Sequence, residues 1–127
     1  MSFQCPQCKA PQSLEIESSI QLFRGRCENE ITLQTVECRR CQFAGAATYE
    51  EGRRGAADTR AWTHSGYFLD AADLHRLQSL ILDCPNRQDP SCTCLAHLQL
   101  GSCDERGKWV GLEQFNPRQS FSMRLSI

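Results

Sequence analysis

The chain has 127 residues, of which 40% are hydrophobic and 23% charged, with a formal net charge of −1. This is the composition of a globular chain, and it excludes a disordered tail or a generic polybasic binder of nucleic acid or anionic lipid. No apolar run approaches the ~18 residues that span a bilayer, and Met1-Ser2-Phe3-Gln4-Cys5 lacks a basic region followed by an apolar stretch, so a cytoplasmic protein is expected.

In chain order, Cys5-Pro6-Gln7-Cys8 and Pro11 precede a stretch of period two. Leu14, Ile16, Ser18, Ile20 and Leu22 alternate there with Glu15, Glu17, Ser19 and Gln21, which predicts a half-buried strand with the first set on one face. Arg24-Gly25-Arg26 reads as a turn. Ile31, Thr32, Thr35 and Val36 predict a second strand over 31–37, leading into Cys38-Arg39-Arg40-Cys41. A third short strand is expected over 46–50, after Gly45. The polar run 51–60 reads as a loop or linker. Trp62, Tyr67 and Phe68 form an aromatic patch around His64, read as core or pocket wall.

Leu74, Leu77 and Ile81 predict a helix over 69–82, with Asp70 as N-cap, Asp73 in a capping-box position and Pro85 as the stop. A short helix over 95–100 ends at Gly101. A strand is expected over 108–115. Phe121, Met123, Leu125 and Ile127 alternate with polar residues in a terminal strand over 120–127, which is a candidate for edge pairing with another chain, though a place in the chain's own sheet is the simpler reading.

Nine cysteines dominate the chemistry: Cys5, Cys8, Cys27, Cys38, Cys41, Cys84, Cys92, Cys94 and Cys103. The odd count and the missing export signal favour metal ligation over a disulfide framework. In the first group, each Cys-x-x-Cys pair sets two thiolates on one tight turn. Two such turns brought together by a hairpin supply four soft, charged donors for a tetrahedral ion. On Cys5-Pro6-Gln7-Cys8, Cys38-Arg39-Arg40-Cys41 and the strand patterns around them, residues 1–50 resemble the zinc-ribbon superfamily. The resemblance implies that Cys5, Cys8, Cys38 and Cys41 ligate one zinc. It implies no particular function, since zinc ribbons occur in transcription factors, ribosomal proteins, enzymes and adaptors. A rubredoxin-like iron site takes the same ligands, so zinc and iron both stay open.

Cys84, Cys92, Cys94 and Cys103 match no standard finger but have the density of a second metal site. Three arrangements are open: all four cysteines, three cysteines with His97 replacing one, or a disulfide or redox pair. Cys27, between arginines and Glu28, reads as an incidental thiol. His75 reads as a surface residue.

The expected architecture is therefore α+β and metal-stabilised. A zinc-ribbon-like β unit over 1–50 and a loop over 51–60 precede a cysteine-rich α+β lobe with one clear helix over 61–127. The expected cofactor is Zn²⁺, two per chain. There is no phosphate loop, nucleophile elbow or His-Glu-x-x-His, and all-cysteine sites are closed, so an enzyme is not expected. The leading expectation is a non-catalytic interaction module whose partner is another protein, as an adaptor, assembly or regulatory subunit. A redox-sensitive or metal-dependent enzyme is one alternative. A nucleic-acid binder using Arg24, Arg26, Arg39, Arg40, Arg53 and Arg54 is the other.

Overall fold

A computed structural model describes residues 2–22, 30–53 and 60–124, and among these residues are five strands, two helices and one 3-10 turn. The strands are β1 (Leu14–Gln21), β2 (Glu30–Cys38), β3 (Ala44–Arg53), β4 (Arg60–Tyr67) and β5 (Ser120–Ser122). They form one antiparallel sheet in the order β1-β2-β3-β4-β5. The helices are α1 (Ala71–Asp83) and α2 (Leu95–Leu100), followed by the 3-10 turn Glu113–Phe115. The chain is thus mixed α+β, with its sheet meandering from one neighbour to the next.

Residues 51–60 do not separate two units, because β3 and β4 pair with each other from Ala46↔Tyr67 to Arg53↔Arg60. β4 was not anticipated as a strand. Its alternation of Trp62, His64 and Gly66 with Thr63, Ser65 and Tyr67 is masked by small and polar residues. Cys27, Arg24, Arg26 and Arg54, most of the 51–60 loop, and Leu125 and Ile127 of the terminal strand lie outside the described residues.

β1 departs from the expected single face. Its register with β2 runs Leu14↔Cys38 and Ile16↔Val36, then jumps to Ser18↔Thr35 and Ile20↔Leu33. Glu17 is the extra residue of a β-bulge, and side chains beyond it point to the opposite side of the sheet. Each face consequently has its own core. On one, Ile20, Leu22, Ile31, Leu33 and Ala46 pack with Leu77 and Ile81 of α1, Ala96 and Leu100 of α2, and Phe115. On the other, Leu14, Val36, Cys38 and Ala47 pack with Phe3, Phe43 and Met123.

The predicted stripe of α1 is its buried side: Leu74, Leu77 and Ile81. Full burial of a side chain such as Leu77 or Ile81 is worth about 1.5–3 kcal/mol. Asp70 holds the N-cap position with extended backbone but makes no side-chain cap bond. Its carboxylate pairs instead with Arg118 at 2.7 Å, and Asp73 pairs with Arg76 at 3.0 Å, which leaves neither for a capping box. The expected strand over 108–115 is absent. Cys103 and Trp109 form an isolated bridge, and the 3-10 turn follows. A Cβ at Gly111 would lie 1.9 Å from the Leu100 carbonyl oxygen, so the chain folds back too closely there for a side chain.

β5 occupies the edge beside β4. Phe121 lies over Gly66, where a Cβ would fall 2.2 Å from its ring, and it packs edge-on against Phe43 and Phe68. Beyond β5, the Gln4 N–H donates to the Arg124 carbonyl (3.0 Å), while Phe3 exchanges both backbone bonds with Leu14. The N-terminal segment therefore ties the two edges of the sheet together at one end.

Candidate metal centres

Two clusters of thiols stand at opposite ends of β1. In the first, Cys5, Cys8, Cys38 and Cys41 place their sulfurs within 4.8 Å of one another. The sheet delivers them: Cys5 follows the Phe3–Leu14 pairing, and Cys38 ends β2 opposite Leu14. The two loops share one conformation. The Lys9 N–H donates to the Cys5 carbonyl as the Gln42 N–H donates to that of Cys38, and Lys9 and Gln42 both have φ of 65°. Backbone N–H groups point at the sulfurs, from Gln7 to Cys5 Sγ (3.4 Å) and from Arg40 and Cys41 to Cys38 Sγ (3.3 and 3.4 Å).

In the second cluster the donors are Cys84, Cys92, Cys94 and His97, all within 4.8 Å of one another. His97 completes the set where Cys103 was the leading expectation; Cys103 stands outside it, disulfide-bonded and in an isolated β-bridge with Trp109. The physical reason is helical. Cys94 is the N-cap of α2, its sulfur accepts the His97 N–H at 3.4 Å, and the i, i+3 spacing brings His97 Nδ1 to 3.3 Å from that sulfur. Cys84, the C-cap of α1, lies 3.1 Å from the same nitrogen. His97 is buried, and its Nε2–H donates to the Gln21 carbonyl at 2.7 Å. That bond fixes the tautomer and leaves Nδ1 as a lone-pair donor.

The spacings fit an ion-centred tetrahedron. Four sulfurs each about 2.3 Å from zinc would stand about 3.8 Å apart. The observed sulfur pairs are Cys5–Cys41 at 3.6 Å, Cys8–Cys38 at 3.7 Å and Cys84–Cys92 at 3.8 Å. A disulfide needs about 2.05 Å, and the seven cysteines of the two clusters are free thiols.

Each cluster mixes a thiol held protonated with one released. Burial pushes the Cys5 thiol up to about 12 and that of Cys84 up to about 11. Burial also opposes ionisation of Cys38, but the Ser13 hydroxyl and the N–H groups of Cys41 and Arg40 outweigh it and bring this thiol down to about 6. Cys94 falls to about 6 in the same way, its burial outweighed chiefly by the backbone N–H of His97. Cation binding at either cluster must therefore displace protons.

Other candidate groups are dispersed. Arg39 pairs with Glu15 at 3.2 Å and donates to the Gln12 carbonyl, and His75 is exposed. The expected aromatic patch is split: Tyr67 packs against the core that holds α1, while Trp62, His64 and Phe68 lie on the other side of the sheet. Trp62 stacks on Tyr49 (6.0 Å, 22°) and is 63% exposed; Tyr49 and Phe3 abut His64, whose Nε2–H donates to Gln34 Oε1 at 2.8 Å. Burial holds the His64 imidazole below its ordinary range. No described helix is long and apolar enough to cross a membrane.

Fold and clusters together define a small α+β protein with two Cys/His donor sets compatible with metal. Comparisons with protein-family models, curated proteins and solved structures found no match.

Proposed function

We propose that the chain is a non-catalytic, zinc-stapled module that binds another protein. The observation that carries this reading is the closure of both donor sets: each supplies four ligands at tetrahedral spacing and keeps no open position for a substrate or activated water. Zinc suits the mixture of thiolates and imidazole, and the first set keeps its likeness to a zinc ribbon. Seven free thiols against the disulfide-bonded Cys103 favour a reducing compartment, which is the basis for a cytoplasmic assignment. Trp62, stacked on Tyr49, offers the partner an exposed aromatic surface on the sheet.

The exposed Tyr49–Trp62 stack also favours a second reading, a single-stranded nucleic acid with bases stacked on it. Electrostatics weighs against this. Two divalent ions bound by seven thiolates would take the formal charge from −1 to about −4.

Elemental analysis of protein purified without added metal should give about two zinc per chain. Trp62→Ala should then abolish binding to the co-purifying protein without changing the metal content or the melting temperature. Micromolar or tighter binding to an oligonucleotide, weakening steeply with salt, would transfer the assignment to the second reading.

A further inference from the structure

We infer that the second cluster is a metal clasp on the edge of the sheet. A tetrahedral, zinc-class divalent cation held by Cys84, Cys92, Cys94 and His97 Nδ1 would fasten the 84–97 segment along the outer side of β1. The inference rests on the two-metal reading above and goes beyond it, because it gives the second ion a mechanical task.

β1 is an edge strand, and an edge presents unpaired N–H and C=O groups that invite another chain. At its far end both backbone groups of Gln21 are taken by the cluster's own segment. The Gln21 N–H donates to the Arg87 carbonyl at 2.8 Å, and the Gln21 carbonyl accepts from His97 Nε2 at 2.7 Å. The Gln88 side-chain amide reaches Ser19 Oγ at 3.1 Å. Arg87 and Gln88 lie between the ligands Cys84 and Cys92, and His97 is itself a ligand, so the edge contacts and the coordination sphere share one stretch of chain.

Little else holds that stretch. Residues 85–89 are all exposed, and its internal bonds, from the Asp89 N–H to Asn86 and from the Cys92 N–H to Asp89, are local turns. Cys84 is anchored at the end of α1 and Cys94 at the start of α2. Cys92 lies in the connection between them, where coordination would close the loop against its chain entropy. The imidazole completes the device, with one nitrogen facing the ion and the other the strand.

The test is amide hydrogen exchange on the full chain loaded with Zn²⁺. Cys92→Ser should bind one ion instead of two. Its Gln21 amide should exchange at least tenfold faster, while that of Leu33, central in β2, stays unchanged. Cys92→His, which restores a donor, should recover both the second ion and the protection. Should Cys92→Ser not fold, ¹¹³Cd-loaded wild type serves instead: one four-sulfur and one three-sulfur, one-nitrogen resonance are expected, with a slowly exchanging His97 Nε2 proton that is lost on chelation. Two ions in Cys92→Ser, or two four-sulfur resonances, would overturn the ligand set. One ion with Gln21 still protected, or a His97 proton indifferent to chelation, would overturn the clasp and leave the two-metal reading standing. A wild-type chain that binds no metal would overturn both.

Discussion

Cys94→Ser separates two roles that Cys94 combines. Its sulfur caps α2 by accepting the His97 N–H, and it belongs to the second donor set. Serine is among the best N-cap residues, so the helix start should survive within about 0.5 kcal/mol, while the coordination of a soft divalent ion should not. With free zinc at about 1,000 times the dissociation constant, a site that binds only the native state contributes about 4.1 kcal/mol. An unfolding entropy of about 2.1 cal/mol/K per residue gives about 0.27 kcal/mol/K over the chain, so loss of the ion should lower the melting temperature by about 15 °C. Thermal unfolding followed by circular dichroism would be run twice, in a zinc buffer and in excess chelator. The variant should melt far below wild type in zinc and within about 2 °C of it in chelator. Coincident curves in zinc would remove Cys94 from the metal site. An equally wide gap in chelator would show that its contribution is packing.

Cys103→Ser should keep two ions by elemental analysis, since Cys103 stands outside both sets; a fall to one would restore it as a ligand. Leu77→Ala, at a fully buried position where α1 meets the sheet, should cost about 2–5 kcal/mol in urea unfolding, and a loss below 1 kcal/mol would contradict the packing. Zinc affinity of the first site should fall with pH. Cys5 keeps its proton up to about 12, so binding displaces it across the neutral range and affinity should weaken at least about tenfold per pH unit lost. Below about 6 Cys38 protonates as well and the slope steepens. A competition titration that found affinity independent of pH would exclude thiolate ligation there.

The first donor set was legible because both of its pairs lie within single turns, where spacing alone sets geometry. The second was only half legible. Cys84, Cys92 and Cys94 stood out by density, but whether His97 or Cys103 completed the set depended on a helix starting at Cys94, and a six-residue helix leaves little periodicity to read. α1 was legible because its apolar stripe is long enough to exclude other periods. β1 misled because its alternation runs unbroken through Glu17, and a bulge is a property of the pairing, visible only in the partner strand. β4 escaped because a strand whose inward positions include Gly66, filled by Phe121 from a neighbour, carries no apolar signature of its own.

The bulge makes register, more than residue identity, the fragile quantity in β1. Leu14 stands opposite Cys38 of one cluster, and Gln21 is bonded to His97 of the other, so this strand is a ruler of six rungs, about 20 Å long, between the two centres. An exchange of Glu17 for another polar residue leaves that ruler intact. Were the bulge drawn out straight, Glu17 would pair with Thr35, every later pairing would slip by one, and Ile20 and Leu22 would turn away from α1. A slip of one residue, far from every sulfur, would carry Gln21 off His97 and mis-set the second ligand sphere.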